Sequence, residues 1–245
     1  GDAFLFSRFL PDLKNKAGKI IARMPDTVSE VIQRSFPFVE VVSNNVELST
    51  LDFDYHIPMM SLPLILNLTK DNIPHTGKYL SADAEKVQKF KEKYFNNNEL
   101  KIGIVYKGSS VGMKIRDIRL EDILPVSNIK NTKIYSLQFK DPDEYYKDTN
   151  IINLGNKVKN YDDTAALIEN LDLLVTTDNS VMNLAGAMGK KTFCLFGALP
   201  EFRWFDLSGE DIKWYKSVKP YKCARWGEWK PIINKVIEDI GELVK

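Results

Sequence analysis

The sequence predicts an α/β fold built on parallel sheets, and three observations carry that expectation. Short apolar runs alternate with amphipathic stretches along most of the chain. Small polar residues cluster between the runs, where helices should start. One segment shows the whole pattern: the apolar run Leu171-Asp-Leu-Leu-Val175, the polar turn 176–180, the small apolar helix 181–188, and a second apolar run at 192–196. Such runs suit strands buried on both faces.

Each element follows in order. Residues 4–13 carry Phe4, Leu5, Phe9 and Leu13 at helical spacing, with Arg8 and Lys14 opposite. A strand is expected at 19–23, a helix at 27–34 and a strand at 39–43, which suggests a small Rossmann-like half. Residues 53–63 mix aromatics, prolines and His56, as an irregular loop would. Residues 74–81 read as a linker, and 82–95 as a charged amphipathic helix. A second unit then has strands at 100–106, 133–138 and 151–154, a helix or turn at 120–126, and a helix at 162–170. A final amphipathic helix is expected at 229–244. The domains are read as 1–80, 81–228 and a C-terminal helix at 229–245.

Composition narrows the function classes. The chain has 245 residues, 44% hydrophobic and 27% charged, with a formal net charge of +1. That balance implies no field for nucleic acid. Two cysteines cannot form a disulfide framework, and a cytoplasmic setting is expected. No apolar run approaches the roughly 18 residues of a transmembrane helix. The first residues lack both an initiator Met and the basic start of a signal peptide, so sequence is expected to be missing upstream. There is no dinucleotide glycine fingerprint: Gly103, Gly108 and Gly112 are too widely spaced, which disfavours a dehydrogenase. The run 186–192 mimics a phosphate loop but stands after a helix and before a strand, the reverse of the required order. No zinc spacing exists among two Cys and two His.

The candidate site lies at strand ends. Asp178-Asn179-Ser180 explains itself fully as a helix cap. It also fits a diphosphate site, because free N–H groups and the helix dipole meet there. Lys107 and Gly108, followed by Ser109 and Ser110, come after another strand, and Gln138 after the next. Turns after parallel strands share one edge of the sheet, so these residues converge. Lys107 can neutralise a phosphate, and Gln138 can bond a base or ribose; each alone reads equally as an ordinary loop residue. Arg203-Trp204 and Trp214-Tyr215 offer charge and stacking surface, or simply a loop packed by its own rings. Asp2 and His56 are the candidates of the first half; their plain readings are a helix cap and a structural histidine.

Taken as an ordered set, these residues resemble a known family. The set comprises Gly1-Asp2 with Phe6-x-Arg8, then His56 to Pro63, Tyr79-Leu80, and Ile102 to Gly108. It continues with Arg116, Ser136-Leu-Gln138, Asp163 to Leu167, and Leu171 to Val175. It ends with Asp178-x-Ser-Val181, Leu184 to Gly189, Arg203-Trp204 and Trp214-Tyr215. The chain is similar to the glycosyltransferase domain that follows tetratricopeptide repeats in bacteria, related to the lipopolysaccharide heptosyltransferases of glycosyltransferase family nine.

The resemblance implies a GT-B architecture: two Rossmann-like domains facing a cleft, the N-terminal one small or truncated. It implies an inverting, metal-independent transfer from a nucleotide-sugar donor to a protein or glycan acceptor, with no cofactor. It carries the general base to Asp2 and donor-phosphate contacts to Asp178, Asn179 and Ser180. Around them, Lys107, Gly108, Arg116, Gln138, Asn183 and Arg203 complete the donor set, and His56 helps orient the acceptor. An upstream repeat domain is expected in the full-length protein. The chain departs from the family at Asn183, where members usually have His; Asn cannot carry positive charge or shuttle protons. It also has Tyr106-Lys107-Gly108 for Trp-Ala-Gly and Glu201-Phe202-Arg203-Trp204 for Asp-Trp-Arg-Trp. The second reading is therefore a non-catalytic nucleotide-sugar-binding or interaction domain.

Overall fold

A computed structural model describes residues 1–108, 116–205 and 213–244. Ser109, Ser110 and Gly112, named above, lie outside the described residues.

The chain begins with a helical stretch in three pieces: α1 (Asp2–Phe6), a 3₁₀ turn at Ser7–Phe9 and α2 (Leu10–Leu13). The sequence suggested one helix. Pro11 explains the break, because it has no N–H to give the carbonyl four residues back. β1 (Ile20–Met24), α3 (Asp26–Ser35) and β2 (Val39–Ser43) follow, and the two strands pair in parallel. Residues 48–65 contain only single turns and α4 (Leu62–Ile65).

The second unit opens with α5 (Ala84–Tyr94), whose N-cap Asp83 accepts from Lys86 N. Six strands form its sheet: β3 (Leu100–Val105), β4 (Thr132–Ser136), β5 (Ile151–Asn153), β6 (Leu173–Thr177), β7 (Thr192–Phe196) and β8 (Val218–Lys222). Its helices are α6 (Leu120–Ile123), α7 (Tyr161–Glu169), α8 (Ser180–Ala187) and α9 (Trp229–Leu243). The sheet order is β5-β4-β3-β6-β7-β8, every pairing parallel. The chain builds outward from β3 to β5, then returns to lay β6 beside β3 and builds the other way. The direction of winding therefore reverses between β3 and β6. In open parallel sheets the crevice at the carboxyl ends beside such a reversal is where ligands bind.

Alternation fixes which residues face which layer. Leu173 and Val175 of β6 join Ile102 and Ile104 of β3 in a core under α9. Leu174 between them points to the other face, with Leu167 of α7 and Leu184 of α8. That second core is shared with the start of the chain: Phe4, Leu5 and Phe9 are completely buried in it. Each such side chain contributes roughly 1.5–3 kcal/mol by leaving water. α1 is thus seated on α8, the helix that follows the reversal point.

Candidate functional site

The wall of the site is the turn from β6 into α8. Asn179 is the N-cap: its Oδ1 accepts from Val181 N at 2.9 Å and Met182 N at 3.1 Å. Its Nδ2 donates to Thr176 Oγ1 and Thr177 Oγ1. Both ends of the Asn179 amide are therefore engaged in shaping the turn, a cap worth about 1 kcal/mol. Ser180 Oγ accepts from the Gly1 nitrogen at 2.9 Å and keeps its own hydrogen to donate. The fit is close: a Cβ added to Gly1 would lie 3.2 Å from Asn183 Nδ2. Asp2 is thereby placed beside the α8 N-terminus.

Asn183 is only 6% exposed. Its Nδ2 donates to Asn179 O at 3.1 Å, and its Oδ1 accepts from Tyr215 OH at 3.0 Å. Both ends of the Asn183 amide are thus tied into the scaffold.

Charges run through the site in alternating sign. Asp2 Oδ1 is 2.7 Å from Arg203, and Arg203 Nε is 2.7 Å from Glu201 Oε2. Glu201 Oε1 is 2.5 Å from Arg116, and Arg116 bonds Asp178 Oδ2 at 3.0 Å. Asp178 directly follows β6 and is buried; burial and the nearby Glu201 push its carboxyl up, against the pull of Arg116. Burial works against the charge on Arg203, but the bond to Asp2 and the field of Glu201 outweigh it and raise its pKa. Trp214 Nε1 donates to Arg203 O at 2.7 Å, which pins the backbone beneath that side chain.

A second polar cluster lies at the ends of β3 and β4. Gln138 Oε1 accepts from Tyr106 N at 3.1 Å and Lys107 N at 2.9 Å, so this oxygen shapes the turn. Gly108 N donates to Asp117 Oδ1 at 2.9 Å, which draws the Lys107–Gly108 turn toward Arg116. Buried Asp141 Oδ2 receives the hydroxyls of Tyr106 and Tyr146, and Lys107 Nζ stands 4.0 Å from Asp141 Oδ1. Burial and the bond to Asp141 push the Tyr106 hydroxyl strongly up, so Tyr106 stays a donor.

The structure thus brings Asp2, Arg203, Arg116, Asp178, Asn179, Ser180 and Asn183 together, and sets Lys107, Gly108 and Gln138 beside one another. His56 is exposed and rests edge-on against Phe53 at 5.8 Å. Its loop runs into Met59–Ser61, which packs on α1, but its ring has no bond to the charged cluster among the described residues. Trp204, Trp214 and Tyr215 are buried, so that loop does pack by its own rings.

Sequence reasoning missed the part that three residues play. Glu201, noted only within a motif, bridges two guanidinium groups. Tyr215, read as a stacking ring, tethers Asn183. Arg8 is completely buried with its guanidinium 4.7–5.1 Å from the rings of Tyr79, Trp214 and Tyr215. The sequence pattern set Arg8 opposite the apolar residues of 4–13, whereas the structure buries it with them, satisfied by two carbonyls and the surrounding rings. Among the described residues, no group of three or more His, Cys, Asp or Glu is placed to hold a metal ion, and no helix is long and apolar enough to cross a membrane.

Three solved structures share this fold. E. coli ADP-heptose lipopolysaccharide heptosyltransferase II is 13% identical, with a TM-score of 0.66 over 99% of this chain and 95% of that one. E. coli heptosyltransferase WaaC, solved with ADP-2-deoxy-2-fluoro heptose, is 9% identical, with a TM-score of 0.60 over 98% and 96%. The glycosyl transferase family 9 protein of Veillonella parvula is 12% identical, with a TM-score of 0.60 over 91% and 83%. At such identities the likeness establishes the fold: an α/β chain with a six-stranded parallel sheet, matching these heptosyltransferases. No protein-family model matches the chain. Protein FlbA of Caulobacter vibrioides is 25% identical over 267 residues, which cover 96% of this chain and 44% of FlbA. The chain therefore spans less than half the length of that relative.

Proposed function

We propose that this chain is a glycosyltransferase of the GT-B type, moving a sugar from a nucleotide-sugar donor to a protein or glycan acceptor. One observation carries the reading. A carboxylate, Asp2, stands beside a capped helix N-terminus and is paired with Arg203, which Glu201 links to Arg116, at the reversal point of a sheet shared with heptosyltransferases. The division of labour would follow the sequence domains, with 1–80 on the acceptor side, 81–228 holding the donor, and 229–245 closing the fold. A cytoplasmic protein with an upstream repeat domain completes the proposal.

The transfer is a single displacement with inversion. Asp2 takes the proton of the acceptor hydroxyl. That oxygen attacks the anomeric carbon, the bond from this carbon to the diphosphate breaks, and its electron pair leaves with the nucleoside diphosphate. Arg116 and Arg203 neutralise the departing charge, helped by Ser180, the α8 dipole and Lys107, so the step needs no metal. Asp178 and Asn179 hold this apparatus in place, because a buried carboxylate and a spent amide have nothing to offer an anion. Gln138 serves the base or ribose through its remaining amide N–H groups, and His56 the acceptor.

The test begins with thermal shifts across UDP-, GDP-, ADP- and CMP-sugars. It proceeds to a transfer or donor-hydrolysis assay on the full-length protein, with Asp2→Ala as the control. A stabilising donor, turnover, and loss of turnover in Asp2→Ala with donor binding kept are expected. Turnover in the variant would sink the base assignment. The second reading, a binding module without catalysis, is favoured by Asn183, whose side chain is held by Tyr215 and cannot supply a proton. Donor binding with neither transfer nor hydrolysis would establish it.

A further inference from the structure

We propose that Arg203 is a latch on Asp2: with the donor site empty it holds the carboxylate in an ion pair, and an arriving diphosphate takes the guanidinium and frees Asp2. This rests on the glycosyltransferase reading and adds an order of events to it.

The charges require some such exchange. Among the described residues, Asp2, Glu201 and Asp178 are three carboxylates facing two guanidinium groups, Arg116 and Arg203. A diphosphate entering this chain must compete with a carboxylate for an arginine. Burial decides which carboxylate yields. The Asp178 side chain is 7% exposed and Glu201 26%, whereas Asp2 is 54% exposed. Released Asp178 would be stranded away from water, while released Asp2 is solvated at once.

The backbone is arranged for a side-chain swing and nothing larger. Trp214 holds the Arg203 carbonyl at 2.7 Å, and Ser180 holds the Gly1 nitrogen at 2.9 Å. The Asp2 main chain and the Arg203 main chain both stay put while the guanidinium turns. Glu201 is the positioning residue, since it touches both arginines and keeps them side by side.

The chemistry gains from the exchange. While Arg203 bonds Asp2 Oδ1 at 2.7 Å, that oxygen is engaged by a donor that an acceptor hydroxyl would have to displace. Once the guanidinium turns to a diphosphate, the oxygen is open to the hydroxyl. An available base thus arrives with the donor.

Linkage gives the test, because coupling is reciprocal. If the diphosphate must displace Asp2, then removing the Asp2 charge must tighten diphosphate binding. Calorimetry on the intact protein would compare UDP, ADP and inorganic pyrophosphate against wild type, Asp2→Asn, Asp2→Ser, Arg203→Ala and the Asp2→Asn/Arg203→Ala pair. Thermal melting would show that each variant is folded, and Asp2→Ser stands in should Asp2→Asn melt early. For a partly exposed pair the expected gain is about two- to fivefold tighter binding in Asp2→Asn. Arg203→Ala should bind more weakly, and adding Asp2→Asn to it should give no further gain. Unchanged or weaker binding in both Asp2 variants overturns the latch and leaves the transferase reading standing. Wild-type protein that binds none of the three probes overturns both.

Discussion

The Tyr215 hydroxyl donates to Asn183 at 3.0 Å, while the same ring lies against Gly186 three residues further along α8. One aromatic side chain thus sets both the depth of the helix and the orientation of its only interior amide. Tyr215 is buried, and burial pushes its hydroxyl well up, so it remains a donor at ordinary pH.

Tyr215→Phe should cost about 1–2 kcal/mol, because Asn183 Oδ1 loses its partner in a place water does not reach. Urea denaturation would measure it. The site should loosen as well, with nucleoside diphosphate binding weakened a fewfold.

Gly186→Ala should be harmful despite the helix preference of alanine. A Cβ there would lie 2.6 Å from Tyr215 Cγ, and a packed ring cannot retreat cheaply. A loss of about 1–3 kcal/mol is expected in chemical denaturation. Neutral or improved stability would show that the ring has room to move.

Arg8→Met keeps much of the volume and removes the charge. Arg8 donates to Leu5 O at 2.9 Å, Trp214 O at 2.6 Å and Tyr79 OH at 3.2 Å. Two buried carbonyls would lose a donor, and three rings their cation. A loss of about 3 kcal/mol and a lower Tm are expected.

Asp162 makes stability depend on acid. Burial would raise its carboxyl, but bonds from Arg34 at 2.6 Å and Lys86 at 2.8 Å outweigh that and hold it below the usual range. A depressed carboxyl stabilises above the unfolded value, about 4, and loses that contribution as pH falls through the folded value. Asp162→Asn should therefore cost about 2 kcal/mol at pH 7, less than a fully buried pair because Arg34 and Lys86 reach solvent. The gap between variant and wild type should stay constant from pH 8 to 5 and close below about 4. A pH series of urea melts would show it.

Much of the fold was legible in the residues because strands buried on two faces leave unbroken apolar runs. β3, β6 and β7 lie within a residue or two of their expected places. β8 was missed. Val218-Lys-Pro-Tyr-Lys222 carries two lysines and a proline, and at the edge of a sheet these are tolerated where an interior strand would reject them. The split first helix was signalled by Pro11 and misread as continuous. In the site, the placing of Gln138, Lys107 and Asp178 after the neighbouring parallel strands β4, β3 and β6 followed from topology alone. What sequence could not give were contacts between distant segments: Asp2 with Arg203, Glu201 between two arginines, and Tyr215 against Asn183. Those depend on how loops fold back, and no local spacing records that.

The first helix and α8 share one core, with Phe4, Leu5 and Phe9 buried among residues such as Leu184. The proposed base is therefore no separable attachment. Removing the opening residues would strip α8 of apolar cover as well as deleting a carboxylate, so a shortened protein that failed to react would say nothing of Asp2. Chemistry and folding here are inherited together, and only point substitutions can tell them apart.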